Sequence, residues 1–324
     1  MANIREIARL AGVSVTTVSR VLNNHPYVSP AKREVVLKTI EKLDYSRNLN
    51  AVHLSQGKTN MVGIVMPTIN HPYFSGLLEG IALKAKKHNI QLVLFQTDYK
   101  RDKELAALEQ LRGGLIDGVI FCSRAIQFDL LLQYKDIGPI VLCEDSDQHE
   151  FPSVSVEHVK AFNLGLDYLV SNGHRKVAVC LGRLEGTNSQ KRIAAYKQKL
   201  KEIGEQLHTE WILGQCLMIE DGIKVIARYA DWDEKPTAFL VGNDQVAAGL
   251  ISEAVRRGLK VPEDIAVLSF DNHPISEILN ITTIEIPAKQ LGVSAFNAFI
   301  EKTKNINFAD KIVLPFNLIE RKSV

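Results

Sequence analysis

Apolar residues recur at helical spacing in the first 45 residues of the chain and predict three short helices. Gly12 tolerates left-handed backbone and separates the first helix from the second. Ser14 and Ser29 stand where they can cap the second and third helices, and Pro30 suits the first turn of the third. The three apolar faces can close one small core; in chain order they are Ile4, Ile7, Ala8 and Ala11; Val15, Val18, Val21 and Leu22; and Val36, Ile40 and Leu43.

The second predicted helix has a small polar face with one arginine. Two short helices joined by a glycine-containing turn form a helix-turn-helix, in which the second helix enters the DNA major groove. Arg20 can donate to two guanine acceptors at once, and Thr16, four residues earlier on the same side, can contact a neighbouring base. Periodicity alone equally fits a helical hairpin with a solvated face. The residues assigned to DNA contact are Val15, Thr16, Thr17, Arg20 and Asn23.

From Met61 onward, short apolar runs alternate with amphipathic stretches such as Phe74 to Lys87 and Gln245 to Arg257. This alternation predicts parallel strands with crossover helices, arranged as two doubly wound α/β sheets side by side. A ligand would bind where the strands end. The seven runs are Met61 to Met66, Gln91 to Phe95, Gly118 to Cys122, Ile140 to Cys143, Val177 to Leu181, Ala238 to Val241 and Ile265 to Phe270.

Polar residues follow these runs closely. Any one of them is as well explained by a polar loop, so the hypothesis of a binding edge rests on their accumulation. They are Thr68, Asn70, Asp98, Ser123, Arg124, Glu144, Asp145, Arg183, Asn243, Asp244 and Asp271.

Charge divides unevenly along the chain. Of 39 Lys and Arg and 37 Asp and Glu, nine and four fall in residues 1–60, so this head carries +5 and the remainder −3. A basic head suits DNA phosphates, although it could serve solubility alone. The start of the chain has no apolar signal-peptide core, and no run of eighteen apolar residues occurs, which predicts a cytoplasmic protein without a membrane partner.

Catalytic and metal-binding patterns find little support. The four cysteines are widely spaced without a C-x-x-C pair, so we expect reduced core thiols, no metal and no cofactor. No nucleophile elbow or phosphate loop occurs, which ranks an enzyme last. A two-lobed transport receptor would leave the DNA-reading head and the missing signal peptide unexplained.

The head resembles the lactose-repressor/galactose-repressor family. The string from Ile4 to Asn23, IREIARLAGVSVTTVSRVLN, carries the resemblance together with Val28-Ser29 and Leu43-Asp-Tyr45, and it extends over essentially the whole chain. The segment GPIVLCED, from Gly138 to Asp145, is most similar to the catabolite-control-protein branch. The resemblance implies a ligand-regulated transcription factor of repressor type whose body forms two lobes like those of periplasmic sugar-binding proteins.

The resemblance also implies a hinge at Asn48 to Ser55, in which Leu54 matches the residue that wedges between base steps in the minor groove. From position alone, Leu54 is better explained as a linker residue. Arg47 stands where the family commonly has Pro, and Val52 where it commonly has a basic residue, so hinge-helix stability and some phosphate contacts are in question.

In the body, the family's ligand contacts match Arg192, Asn243 and Asp271. This trio can satisfy adjacent sugar hydroxyls, because Arg donates, Asp accepts and Asn does both. Tyr73 and Phe74 could form an apolar wall or simply pack in a helix core. Ser269-Phe270-Asp271-Asn272 replaces the usual Gly-Phe-Asp-Asp, which keeps the acid and changes its neighbours.

We therefore expect a helix-turn-helix domain at 1–46, a hinge at 47–60 and a two-lobed effector and dimerisation domain at 61–324. The expected partners are a double-stranded DNA operator, a sugar or sugar-phosphate effector and a second copy of the chain. Some catabolite-control relatives also use a phosphocarrier protein as corepressor. The five residues after Ile319 are too few for a tetramerising coiled coil, which favours a homodimer.

Overall fold

The computed structural model describes residues 3–45, 57–145 and 150–324. The chain divides into two compact units, Met1–Gly57 and Lys58–Val324. The proposed wedge Leu54 and most of the hinge segment lie outside the described residues. Within the part described, no helix is both long and apolar enough to cross a membrane.

The first unit contains the three predicted helices, α1 (Ile4–Leu10), α2 (Val15–Leu22) and α3 (Pro30–Lys42). Gly12 has a φ of +64°, as its turn requires. The Ser14 side chain caps α2 by accepting from the backbone N–H of Thr17, at 3.2 Å. The buried core consists of Ile7, Ala8, Ala11, Val18, Val21 and Val36.

Two expectations about this head are wrong. Val15 is 42% exposed, because it is the first residue of α2 and lies beyond the stripe formed by Val18 and Val21. Ser29 occupies the N-cap position of α3, but its side chain makes no capping hydrogen bond. Pro30 at the first helical position starts α3 with its preset φ.

The second unit holds two six-stranded sheets. The first lobe has the strand order β11-β5-β4-β3-β1-β2, and the second has β12-β10-β9-β8-β6-β7. The ladders are parallel apart from the antiparallel pairing of β12 with β10. The strands are β1 (Met61–Met66), β2 (Gln91–Gln96), β3 (Gly118–Phe121), β4 (Ile140–Leu142), β5 (Ser153–Val156), β6 (Val177–Cys180), β7 (Ile212–Leu213), β8 (Ala238–Val241), β9 (Ala266–Phe270), β10 (Thr282–Glu285), β11 (Lys311–Leu314) and β12 (Asn317–Ile319).

Helices cover both sheets and alternate with the strands along most of the chain, as a doubly wound fold requires. They are α4 (Pro72–Lys87), α5 (Arg101–Arg112), α6 (Phe128–Leu132), α7 (His158–Ser171), α8 (Thr187–Ile203), α9 (Ile219–Tyr229), α10 (Asp244–Arg256), α11 (Pro274–Ile278) and α12 (Ala288–Lys304), with a 3-10 turn at Thr209–Trp211.

All seven predicted runs are strands, with ends that agree within one residue. Strands β5, β7 and β10 were not predicted, because β5 and β10 carry serine or threonine at buried positions and β7 has only two residues. The last apolar run, Ile312 to Ile319, is two strands rather than one. Pro315, which lacks a backbone N–H, lies between β11 and β12 at the point where the chain passes from one sheet to the other.

The chain crosses between the lobes three times, after β5, after β10 and between β11 and β12. After the second crossing, α12 returns to the first lobe and packs along α4. This approach is so close that a Cβ on Gly80 would lie 2.0 Å from the carbonyl oxygen of Lys289. Three short connections between two rigid lobes leave a cleft at the carboxyl ends of the strands.

Candidate DNA-binding surface and ligand cleft

The polar face of α2 is presented to solvent. Thr16, Arg20 and Asn23 are exposed, and Thr17 is partly buried. The Arg20 guanidinium makes no hydrogen bond or ion pair with any residue that the structure describes. The hydroxyl of Thr17 lies 2.9 Å from that of Ser14, so it already takes part in the helix cap. The helix thus offers one unrestrained guanidinium and short side chains to a partner.

The segment after α2 was missed by the sequence analysis. Tyr27 is 84% exposed, and its ring centroid lies 5.5 Å from that of His25. Arg33 of α3 fixes this segment by donating to the Asn24 side chain at 3.1 Å and to the His25 carbonyl at 2.9 Å. Neither helical nor strand periodicity marks such a loop.

A cavity of about 570 Å³ lies between the two lobes, within the range of small-molecule sites. All five residues proposed for effector binding line it: Tyr73, Phe74, Arg192, Asn243 and Asp271. Of the polar residues at the strand ends, Ser123, Arg124, Glu144, Asp145 and Arg183 also line it, whereas Thr68, Asn70, Asp98 and Asp244 do not.

Asp244 turns away from the cavity because it is used inside the second lobe. Its carboxylate accepts from Thr283 at 2.8 Å, from the backbone N–H of His273 at 2.5 Å, and from Ser269. Asn272, the departure from the family pattern, also faces elsewhere: its side-chain oxygen accepts from Arg321 at 2.8 Å. The changed neighbours of Asp271 therefore support the lobe instead of the cavity wall.

Asp271 and Arg192 form one pole of the cavity. Asp271 has a φ of +100°, a strained conformation typical of functional positions. Burial, assisted by the nearby Asp244 charge, raises the pKa of Asp271 to about 8. Burial also lowers the pKa of Arg192, whose guanidinium carbon lies 5.0 Å from the Phe270 ring centroid. The buried Nε of Arg192 has no hydrogen-bond partner within the described part of the chain, which leaves a donor for a ligand.

His158 holds Arg192 in place. An Nη atom of Arg192 lies 3.3 Å from Nδ1 of His158. Burial lowers the pKa of His158 to about 3, so the ring is neutral and Nδ1 accepts this hydrogen bond. This histidine and His71, which also lines the cavity, were missed because isolated histidines carry no pattern.

Asn243 lines the cavity but already serves the fold. Its side-chain oxygen caps α10 by accepting from the N–H of Val246 at 3.0 Å, and its amide donates to the Leu217 carbonyl at 3.3 Å. One amide N–H and one lone pair remain for a ligand. Tyr73 and Phe74 likewise combine both proposed roles, since they line the cavity and pack against the core, with their ring centroids 5.3 Å apart.

Ion pairs and hydrogen bonds occupy the carboxylates of the first lobe. Glu144 pairs with Arg124, and burial raises the pKa of Glu144. Glu104 does not line the cavity, but its carboxylate accepts hydrogen bonds from the backbone N–H groups of the lining residues Ala125 and Ile126 at 2.8 to 2.9 Å. Asp145 pairs with Lys311 at 2.5 Å and Lys191 at 3.3 Å.

All four cysteines are free and buried, as expected of core thiols. Among residues 3–45, 57–145 and 150–324, no group of three or more His, Cys, Asp or Glu side chains could hold a metal ion. The arrangement of the cavity therefore offers hydrogen bonding and charge to a small polar ligand.

Comparison with known proteins gives the same division of the chain. Residues 3–48 match the bacterial regulatory proteins of the lacI family, and residues 59–322 match the periplasmic binding proteins and sugar binding domain of the LacI family. The chain is 49% identical, over the full length of both proteins, to the uncharacterized HTH-type transcriptional regulator YkvZ of Bacillus subtilis.

Catabolite control protein A of Priestia megaterium is 33% identical over 99% of this chain and 98% of its own. A structure of the lac repressor dimer bound to operator and the anti-inducer ONPF has the same fold, with a TM-score of 0.81, 24% identity and coverage of 99% of this chain and 98% of its own. The chain belongs to the lacI family of bacterial regulatory proteins and is a DNA-binding transcriptional regulator of repressor type with that family's sugar-binding domain.

Proposed function

We propose that a small polyhydroxylated ligand controls the affinity of this regulator for its operator. The ligand is bound by Arg192, Asn243 and Asp271. The observation that carries the proposal is the buried Nε of Arg192, which none of the described residues hydrogen-bonds, beside the Asp271 carboxyl in a cavity of about 570 Å³. A vicinal diol supplies an acceptor for the arginine and a donor for the acid. Tyr73 and Phe74 give such a ligand an apolar wall.

The ligand acts through the two lobes. Because the cavity is lined from both sheets, a ligand that contacts both walls favours one degree of lobe closure. It changes operator affinity only to the extent that it binds the two closure states differently. The three crossings between the lobes are the segments that absorb this movement.

On the DNA side, we propose that Val15, Thr16, Thr17, Arg20 and Asn23 contact the operator, with Arg20 and Thr16 reading bases. The exposure of Val15, Thr16, Arg20 and Asn23 supports the assignment, as does a guanidinium of Arg20 that no described residue pairs with. The assignment of Leu54 as a minor-groove wedge rests on the family resemblance. If it is correct, Leu54→Ala reduces the operator bend measured by gel mobility of circularly permuted fragments, and an unchanged bend contradicts it.

A second copy of the chain is the proposed partner of the effector domain. Apolar side chains stand exposed on adjacent elements of each lobe, and the solved lac repressor is a dimer bound to operator. Light scattering is expected to give about twice the chain mass of 36.1 kDa, and a tetramer mass contradicts the proposal. The exposed side chains are Leu83, Leu94, Ile219, Ile223, Val255 and Ile278.

The wider setting of the protein follows from this role. A regulator that binds chromosomal DNA works in the cytoplasm, where we place it. A phosphocarrier protein as corepressor is a further candidate, suggested by the similarity to catabolite control proteins; calorimetry of the chain with that carrier tests it, and absence of heat excludes it.

The ligand proposal is tested by fluorescence anisotropy of a labelled operator, with and without sugars and sugar phosphates. Asp271→Asn is expected to keep ligand-free operator affinity and to lose the response to ligand. The control is Asp98→Asn, which removes an exposed strand-end acid outside the cavity and should leave the response intact. A fully responsive Asp271→Asn protein would show that the cleft is misassigned.

A further inference from the structure

One corner of the cavity is built around Arg183, in the loop between β6 and α8. Its guanidinium carbon lies 4.2 Å from the centroid of the Tyr99 ring, a cation–π contact between the two lobes. One Nη atom donates to the carbonyl of Arg124 at 3.3 Å. These contacts fix the plane of the guanidinium, which is a condition for bidentate recognition of an anion.

The remaining donors of Arg183 are left for a ligand. Among the described residues, none partners its buried Nε in a hydrogen bond, and no described carboxylate lies within ion-pairing distance of it. The group lies next to Gly186: a Cβ at Gly186 would be in ordinary van der Waals contact with it, 3.5 Å from Nη2 and 3.6 Å from Nε of Arg183. The guanidinium therefore rests against the residue at which α8 begins.

The start of α8 adds backbone donors to the same corner. Gly186 is the N-cap residue, no side chain caps the helix, and its first turn contains no acidic residue. Gly186, Thr187, Asn188 and Ser189 all line the cavity. The free N–H groups of a first turn and the dipole of a 17-residue helix both favour an anion.

The balance of charge in the cavity points the same way. Glu144 is paired with Arg124, and Asp145 is paired with two lysines. Burial raises the pKa of Asp271 to about 8, so this carboxyl is mostly protonated near neutral pH. The remaining lining acid, Glu185, is exposed. Among the residues that the structure describes, no carboxylate forms an ion pair with Arg183 or Arg192, which are the two remaining cations of the wall.

We propose that the effector is an anionic polyol whose phosphate or carboxylate binds to Arg183 and the first turn of α8. Its hydroxyls bind at the opposite pole to Arg192, Asn243 and Asp271, so the inference rests on the proposed function and adds the charge of the ligand. Arg183 and Tyr99 come from different lobes, so an anion on Arg183 also ties ligand binding to their contact. Arg183 is the residue that makes the cavity bind charged ligands more tightly than neutral ones.

The test uses the full-length chain and measures thermal stabilisation by inorganic phosphate against chloride at constant ionic strength. Phosphate is expected to stabilise the wild type, and Arg183→Gln is expected to weaken its apparent affinity about tenfold, because a charge-assisted hydrogen-bonding group is lost. Any phosphate bound by the basic head contributes equally to both proteins. Arg112→Gln is the matched control, since Arg112 also lies over a tyrosine ring, at 4.4 Å from the Tyr134 centroid, but outside the cavity.

A second arm compares glucose with glucose 6-phosphate and gluconate by calorimetry. Tighter binding of one charged sugar, lost in Arg183→Gln but not in Arg112→Gln, supports the proposal and distinguishes phosphate from carboxylate. Equal phosphate affinity in the wild type and Arg183→Gln overturns it. Binding of glucose with no gain from either charged group also overturns it and leaves the proposed function standing. An Arg183-dependent phosphate effect without binding of any sugar supports the anion corner and counts against the polyol pole.

Discussion

The face of α2 and the cleft between the lobes both offer polar side chains to a ligand, but they hold them differently. On α2, the Arg20 guanidinium is exposed and free of described partners. In the cleft, Arg124 forms an ion pair with Glu144, and Asp145 forms one with Lys311. Arg192 forms a hydrogen bond with His158. A substitution of Arg20 should therefore change recognition alone, whereas one of a paired residue in the cleft should also change the stability of the fold.

Asp271→Asn should show the largest effect on stability, through its pH dependence. The pKa of Asp271 is raised from 3.8 to about 8, so between these values the folded protein keeps a proton that the unfolded chain has released. The free energy of unfolding then falls as pH rises, by up to about 1.4 kcal/mol per pH unit, and the fall ends near pH 8. Asn does not titrate. In urea unfolding of the ligand-free protein, the free energy of unfolding of the variant should therefore rise relative to that of the wild type from pH 5 to pH 8.

Asp145→Asn is the matched control, because the pKa of Asp145 is lowered whereas that of Asp271 is raised. A hydrogen bond from Lys311 is the main cause that lowers the pKa of Asp145. Its contribution is present above the unfolded value of 3.8 and lost only in acid, so the difference from the wild type should stay constant between pH 5 and 8. Parallel curves for Asp271→Asn and the wild type would contradict the burial of a protonated carboxyl in the cleft.

Arg124→Gln should have the next largest effect on the stability of the fold. The side chains of Arg124 and Glu144 are 17% and 19% exposed, so removing the cation leaves a carboxylate with little water around it. We expect a loss of about 3 kcal/mol in the free energy of unfolding. Adding Glu144→Gln should recover a large part of this loss, because two amides need no neutralisation. Strictly additive costs in this double-mutant cycle would show that the two charges act independently.

The same difference explains what the sequence could predict. The helices of the head and the seven long strands follow from local periodicity, which operates over neighbouring residues. Thr16 and Arg20 could be placed on the outer face of α2 because helix geometry alone decides it. Val15 could not, because its exposure depends on where the core stripe stops at the helix end.

The cleft required more than local patterns. Asn243 and Asp271 follow predicted strands, but their grouping with Arg192 came from family resemblance, and the fold gathers the three from widely separated segments. The stacking of Arg183 on Tyr99 joins residues 84 positions apart from two different lobes, which no periodicity records. Proton affinity is also hidden, since the raised pKa of Asp271 comes from burial and from Asp244, a residue distant in sequence.

Arg20→Ala should give the smallest change in fold stability and a sharp change in recognition. Loss of a bidentate contact to guanine costs about 1–3 kcal/mol at one operator position and relaxes base preference there. Lys32→Ala is the control, because Lys32 is exposed in the first turn of α3, outside the recognition helix, and we expect it to neutralise a phosphate. That variant should weaken all sequences alike and reduce the salt slope by about one.

Operator selection from a randomised library, followed by binding at several salt concentrations, separates the two roles. Unfolding in urea should be the same for Arg20→Ala and the wild type, because the exposed guanidinium makes no hydrogen bond or ion pair with a described residue. If Arg20→Ala instead weakens every sequence equally, its guanidinium binds the backbone, and base reading passes to Thr16 and Asn23. If the variant also destabilises the head, Arg20 has a structural contact, and the contrast between this exposed arginine and the paired side chains of the cleft fails.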